Sequence, residues 1–173
     1  MGRTIQWNER TQLLWDALSS GGAFLVSIDT SGRPNPMTIG WAQVGIVWGR
    51  SILTVYVRKS RYTHSCIRSA KSFTVSVPRA GGFSAELALC GSKSGRELDK
   101  MRAAGLVALP GRSVDTPVVG GCALYYECRV VARTQQELPD FEAGDIVERF
   151  YPKGDSHLAV CGEILSAYVV DKA

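Results

Sequence analysis

This chain has little of what metal, disulfide and nucleophile-driven chemistries require. Its 173 residues hold two histidines, His64 and His157, and five cysteines without a C-x-x-C pair. An odd cysteine count with no paired spacing excludes a disulfide framework and a zinc ribbon, and leaves reduced thiols. Cys122 and Cys128 lie in a strand-like run and read as small core residues. Two imidazoles do not make a metal site without unusual carboxylate help, so no metal is expected. The chain lacks the roughly 20 consecutive apolar residues of a membrane span. Its opening MGRTIQ has neither the basic-then-apolar pattern of a signal peptide nor, at Gln6, the Ser or Thr of a myristoylation site. The expectation is a cytoplasmic protein that does not touch membranes.

Catalytic signatures are equally scarce. There is no Walker A loop and no G-x-G-x-x-G. GSKSG, residues 91–95, puts Ser92 and Ser94 in the wrong places for a G-x-S-x-G nucleophile elbow. His64 and Cys66 are two residues apart, which on a helix points them to different faces. An enzyme without its own nucleophile leaves the chemistry to a cofactor.

Acid is missing from one long segment. Between Thr30 and Ala85 there is no Asp or Glu, whereas Arg33, Arg50, Arg58, Lys59, Arg61, Arg68, Lys71 and Arg79 fall inside it, for a charge of +8. The remaining 12 basic and 16 acidic residues give −4. Such asymmetry fits a solvated basic face or an anionic ligand. Nucleic acid is not expected, because the basic residues are not interleaved with aromatics and no RNP, zinc-finger or helix-turn-helix pattern occurs.

What is present is apolar strand. With 45 % hydrophobic residues, no internal repeat and no linker-like stretch, the chain reads as one domain over residues 1–173. A helix is expected over residues 8–20, with Asn8 as N-cap, Leu13, Leu14, Ala17 and Leu18 as its apolar stripe and Gly21-Gly22 as its stop. Strands are expected at 23–29, 36–47, 52–57, 72–78, 122–133, 146–150 and 157–170, set by alternation and turn residues. Helices are expected at 63–69, 83–89 and 94–104, the last opened by the S-x-x-E capping box of Ser94 and Glu97 and closed by Gly105. Six or more strands with a few peripheral helices imply an α+β, mainly β barrel.

Two segments carry the chemical content. NPMTIGW, residues 35–41, is a strand of small, Met and β-branched residues that presses backbone amides against a flat ring. VRKSRYTH, residues 57–64, gathers Arg58, Lys59, Ser60, Arg61 and Thr63 after an apolar run, where their donors converge on a phosphate. A flat ring with a phosphate suggests flavin mononucleotide, FMN.

These segments, with CGSKSGRELDK at 90–100 and H-x-x-x-x-G-E-I-L at 157–165, resemble the flavin-reductase-like, FMN-binding split-barrel family, in particular its flavoredoxin-type subgroup. The resemblance covers about residues 18–170. It implies a split β-barrel homodimer with FMN near the subunit interface. By the same resemblance Ser60, Arg61 and Thr63 hold the FMN phosphate with Lys100 close by. Met37, Thr38 and Ile39 line the ring through backbone groups, joined by Val57 and Arg58. Cys90, Gly91, Ser92 and Ser94 form the other wall, taken as the amide-rich start of a helix. Asn35, Trp41 and His157 face the substrate side.

Plainer readings of the same residues stay open. Met37 and Trp41, evenly spaced on a strand, also suit a core. Lys100 also suits an exposed helix position, Ser92 or Ser94 a simple cap, Cys90 an inert packing thiol, and Arg61 and Thr63 a solvated helix start. The implied activity is NAD(P)H-dependent flavin reduction, with hydride passing from NADH or NADPH to the ring. A flavoredoxin-type electron carrier serving a redox partner protein and a non-catalytic FMN-binding module are the alternatives.

Overall fold

A computed structural model describes residues 2–170. In chain order its elements are β1 (Arg3–Thr4), α1 (Thr11–Ser20), β2 (Ala23–Ile28), β3 (Pro34–Ile39), β4 (Ala42–Val47), β5 (Arg50–Arg58), α2 (Tyr62–Ile67), β6 (Ser72–Val77), α3 (Ser84–Ser92), α4 (Lys100–Ala103), β7 (Ala108–Leu109), β8 (Val118–Val119), β9 (Leu124–Gln135), a 3-10 turn at Leu138–Asp140, α5 (Gly144–Phe150) and β10 (His157–Val169).

The main sheet runs in the order β3-β2-β6-β9-β10-β5-β4, with β1 added along β10. All its pairings are antiparallel. β3 and β4 are the two ends of that order and do not pair with each other, so the barrel is split between them. This is the mainly β, split-barrel fold that the resemblance implies.

Side-chain alternation sorts the core. In β2, Ala23 and Leu25 point into a cluster with Met37, Leu53, Val55, Phe73 and Tyr126. Phe24 and Val26 point the other way, to Leu87, Val118, Val119 and Tyr125. A strand buried on both faces reads as the continuous apolar run AFLV, and this one is covered outside by α3 and β8. Gly162 marks a close approach, since a Cβ there would lie 2.5 Å from the Phe73 ring, next to a register shift in the long β9–β10 pair.

Several local expectations do not hold. α1 starts at Thr11 after Arg10 in a left-handed conformation, not at an Asn8 cap; Thr11 instead donates to the Asn8 carbonyl. Residues 36–47 are two strands, because the chain breaks at Gly40 and Trp41. Ser94 and Glu97 form a turn ahead of α4, and the cap is Asp99, whose carboxylate accepts from the Arg102 amide at 3.1 Å. The segment 146–150 belongs to helix α5, not to a strand. Among the described residues no helix is long and apolar enough to cross a membrane.

Candidate functional site

The split in the barrel exposes an edge. β3 pairs with β2 on one side and with no strand on the other. The backbone groups on its free side are therefore available to a flat ligand. Opposite that edge stands the end of β5, and register brings Arg58 on β5 beside His157 on β10.

Two cavities meet there. One, of about 460 Å³, is lined by Met37, Arg58, Ser60, Arg61, Thr63, Cys90, Ser92, Ser94 and Lys100, and by residues 149–153 and Asp155. The other, of about 210 Å³, is bounded by residues 37–41, Tyr56, Arg58, Arg61 and His157. Met37, Arg58 and Arg61 line both, so the cavities share walls.

Among the described residues, three cations of the acid-free segment are ion-paired, whereas Arg58 and Arg61, with Lys100 from outside the segment, are not. Arg33, Arg50 and Lys59 pair with Asp29, Glu163 and Glu137. Arg58, Arg61 and Lys100 are held by carbonyl oxygens. Arg58 donates to Asp155 O and Phe150 O, both at 2.9 Å, Arg61 to Gly91 O at 2.7 Å, and Lys100 Nζ to Cys90 O at 3.4 Å. A carbonyl fixes a cation's position without cancelling its charge, so these three keep their attraction for an anion. Lys100 is 4 % exposed. Burial pulls its pKa below the ordinary lysine value, and Arg61 adds to the shift.

Cys90 and Gly91 lie in the last turn of α3, so this wall is a carbonyl-rich helix end and not the amide-rich start expected for it. The negative end of the helix suits the Lys100 and Arg61 tethers. Burial pushes the Cys90 thiol up to about 11, which makes it an unreactive packing group. Ser92 Oγ donates to Ala88 O within the helix, and Ser94 Oγ accepts from the Arg96 amide.

Ser60 and Thr63 face the larger cavity differently. The Ser60 amide and hydroxyl both donate to the Asp155 carboxylate, at 3.0 and 2.6 Å. Burial raises that carboxyl, but the two Ser60 bonds and Arg58 outweigh it and hold it below the ordinary Asp value. This corner therefore binds a carboxylate anion already. Thr63 Oγ1 accepts from Asn35 Nδ2 at 2.8 Å and keeps its own proton for a further acceptor.

The three residues expected on the substrate side do not sit together. Trp41 and His157 rings pack with centroids 4.8 Å apart. Asn35 is buried behind Thr63, and its Oδ1 has no hydrogen-bond partner. Gly95 lies directly on it, where a Cβ would collide with Oδ1. Val57 is fully buried core and lines neither cavity, whereas Thr38 donates to Leu87 O at 2.6 Å and so docks β3 on α3. Ile39 reaches the smaller cavity.

Residues 149–155 were missed by the sequence reading. Tyr151 donates to or accepts from His157 Nδ1 at 2.8 Å and lies 5.3 Å beneath the Arg58 guanidinium. Nothing in Y-P-K-G-D signals this; only the register of His157 on Arg58 brings the segment to the site. Burial, with Arg58 and Arg61 adding, pulls the His157 pKa down to about 4.

A phosphate-bearing flat ring fits these residues. The unpaired β3 edge can meet a ring, three carbonyl-tethered cations can meet a phosphate, and the two cavities join them.

Comparison with known proteins places the chain. A protein of Archaeoglobus fulgidus described as uncharacterized is 32 % identical over 103 residues, 60 % of this chain. The chain spans 57 % of the length of that curated relative. Flavoredoxin of Desulfovibrio vulgaris (Miyazaki F) superposes with a TM-score of 0.68 at 24 % identity, over 98 % of this chain and 78 % of that one. An FMN-binding domain of a flavin reductases-like enzyme from Shewanella baltica OS155 gives 0.66 at 19 % identity, over 98 % and 77 %. Residues 15–173 match the family model of the flavin reductase like domain, and the chain belongs to that family.

Proposed function

We propose that the chain binds FMN and serves as an NAD(P)H-dependent flavin reductase. The observation that carries this reading is the group of three cations, Arg58, Arg61 and Lys100, tethered by carbonyls beside a strand edge without a partner. It agrees with the family, and with the FMN-binding description of the Shewanella baltica neighbour.

Arg61, Lys100 and the free Thr63 proton bind the phosphate, with Ser60 joining if Asp155 yields its place. The β3 backbone at Thr38 and Ile39 orients the ring against Met37. FMN, when bound, supplies a ring nitrogen that accepts hydride. Arg58 lines both cavities and offers positive charge to the ring edge that becomes electron-rich on reduction. Trp41 and His157, with ring centroids 4.8 Å apart, stand at the rim of the ring cavity, on the side from which the donor approaches.

The neutral His157 and inert Cys90 also suit a flavoredoxin-type electron carrier, which needs no proton-transfer group. In either case we propose a homodimer with FMN near the interface. The exposed Ile46, Val47 and Trp48 at the β4–β5 turn support the dimer, as an apolar tip on an edge strand at the end of the hairpin away from Arg58.

Anaerobic mixing with NADH and with NADPH tests the reading. The expected result is rapid bleaching of bound FMN by at least one of them, slowed by salt because exposed charges are screened beyond about 8–10 Å. Reduction by dithionite but by neither nicotinamide would transfer the assignment to the carrier, or to a binding module without turnover. Light scattering during dilution tests the dimer, and a monomer that retains FMN would remove the interface site.

A further inference from the structure

We propose that Asp155 is a displaceable occupant of the phosphate corner: an arriving phosphate takes the two Ser60 donors, Asp155 lets go, and the freed segment 150–155 shifts the Trp41–His157 rim of the ring cavity. That the phosphate belongs to FMN rests on the reading above; the anion corner itself does not.

The corner is already built around an anion. The Ser60 amide and hydroxyl donate to the two Asp155 carboxylate oxygens, at 3.0 and 2.6 Å. Those bonds and the nearby Arg58 keep the carboxyl ionised against its partial burial. Asp155 is the one acid lining the cavity of about 460 Å³, whose wall also carries Arg58, Arg61, Lys93, Lys100, Arg149 and Lys153. A phosphate drawn to these cations meets a carboxylate that holds both Ser60 donors. One hydroxyl proton serves one acceptor and like charges in contact repel, so one anion leaves. The phosphate has Arg61, Lys100 and the Thr63 hydroxyl to hold it as well. Among the described residues the Asp155 carboxylate has Ser60 and no ion pair, so Asp155 is the one that goes.

The segment it releases ends at the other cavity. Arg58 donates to Phe150 O and to Asp155 O, both at 2.9 Å, so one guanidinium bridges the two ends and carries a shift at Asp155 to Phe150. Pro152, Lys153 and Gly154 between them are exposed, and no core side chain resists their movement. Phe150 packs edge-on against Trp41 with centroids 5.3 Å apart, and Tyr151 Oη lies 2.8 Å from His157 Nδ1. Phosphate at Ser60 and the rim beside the ring are therefore two ends of one strap.

Inorganic phosphate, which carries no ring, separates the two ends. It is titrated into the flavin-free protein against chloride of equal ionic strength, followed by amide NMR and hydrogen exchange, with Trp41→Phe to assign that indole. The Ser60 amide resonance should move. The Gly154 and Ser156 amides, which donate to Tyr151 O and Gly154 O at 2.9 Å, should exchange faster, and the Trp41 indole should shift with them. A Ser60 amide that stays still would overturn the corner. A Ser60 shift without change at Gly154, Ser156 and Trp41 would overturn the release and its coupling to the rim.

Asp155→Asn keeps the shape and loses the charge. It should bind FMN about tenfold more tightly, since roughly one charge-assisted bond no longer has to break, while riboflavin binds as before. Unchanged or weaker FMN binding in the folded variant would overturn the displacement, and the wild-type phosphate titration decides the point if the variant does not fold. Failure of FMN to bind, with phosphate still moving Ser60, would remove the flavin reading and leave the corner standing.

Discussion

Asn35 Nδ2 donates to Thr63 Oγ1 at 2.8 Å, a buried bond that ties the edge strand β3 to the first turn of α2. Among the described residues it is the one side-chain hydrogen bond between the segment assigned to the ring and the segment assigned to the phosphate. Asn35→Leu should remove it and leave the Thr63 hydroxyl without its donor. The expected loss is about 1–2 kcal/mol in urea unfolding, with FMN weakened as well. Unaltered FMN affinity in the folded variant would show that the link does not set the distance between the two halves.

Gly95 guards the same bond. A Cβ there meets Asn35 Oδ1 and the Tyr62 ring at 2.8 Å, so Gly95→Ala should displace both. FMN affinity should fall, although residue 95 offers a flavin no side chain. Titration of the purified variant with FMN checks it.

His157 makes stability depend on pH. Its pKa is pulled to about 4 in the fold and returns to about 6.5 in the unfolded chain. Between those values the unfolded state binds more protons, so stability rises with pH through this window and falls as pH drops from 6.5 to 4. The full difference is at most about 3 kcal/mol. Relative to His157→Gln, the wild-type urea midpoint should decline as pH falls from 7 to 4, while Asp29, which has no interaction with His157, contributes equally to both proteins. Parallel curves would contradict the depressed value.

Glu127 is a buried acid away from the site. It is fully buried and accepts from the Arg112 and Ser113 amides and from Tyr168 Oη, at 2.6 to 2.9 Å. Glu127→Gln replaces an acceptor oxygen with an amide that faces donors. Hydrogen bonds to a charged group are worth about 1.5–3 kcal/mol, so a loss of that order or more is expected in urea unfolding. FMN affinity of the folded fraction should not change.

These residues also mark where sequence was informative. Alternation and continuous apolar runs are read from side chains alone, so β2, β5, β6, β9 and β10 were legible nearly to their ends. Element identity failed where a short segment satisfies two patterns. Ile146, Val147 and Phe150 look like strand residues, yet their spacing also fits one helical face, and the local chain takes the helix. Ser94 and Glu97 have capping-box spacing, but Asp99 caps the shorter helix that forms. The cationic cluster was legible as charge; its tethering by Gly91 and Cys90 carbonyls was not, because backbone oxygens leave no trace in sequence. Tyr151, Gln136 and Asp155 reach the site only through the β5–β10 register, which local patterns do not encode.

The most direct measurement compares FMN with riboflavin by fluorescence quenching, in wild type and in Arg61→Ala/Thr63→Ala. The account predicts FMN binding near one per chain, with riboflavin much weaker. The double variant should then lose FMN affinity by about 1.5–3 kcal/mol per charge-assisted bond while riboflavin binding changes little. No quenching by FMN, or equal losses for both ligands, would contradict the claim that these cations hold a flavin phosphate.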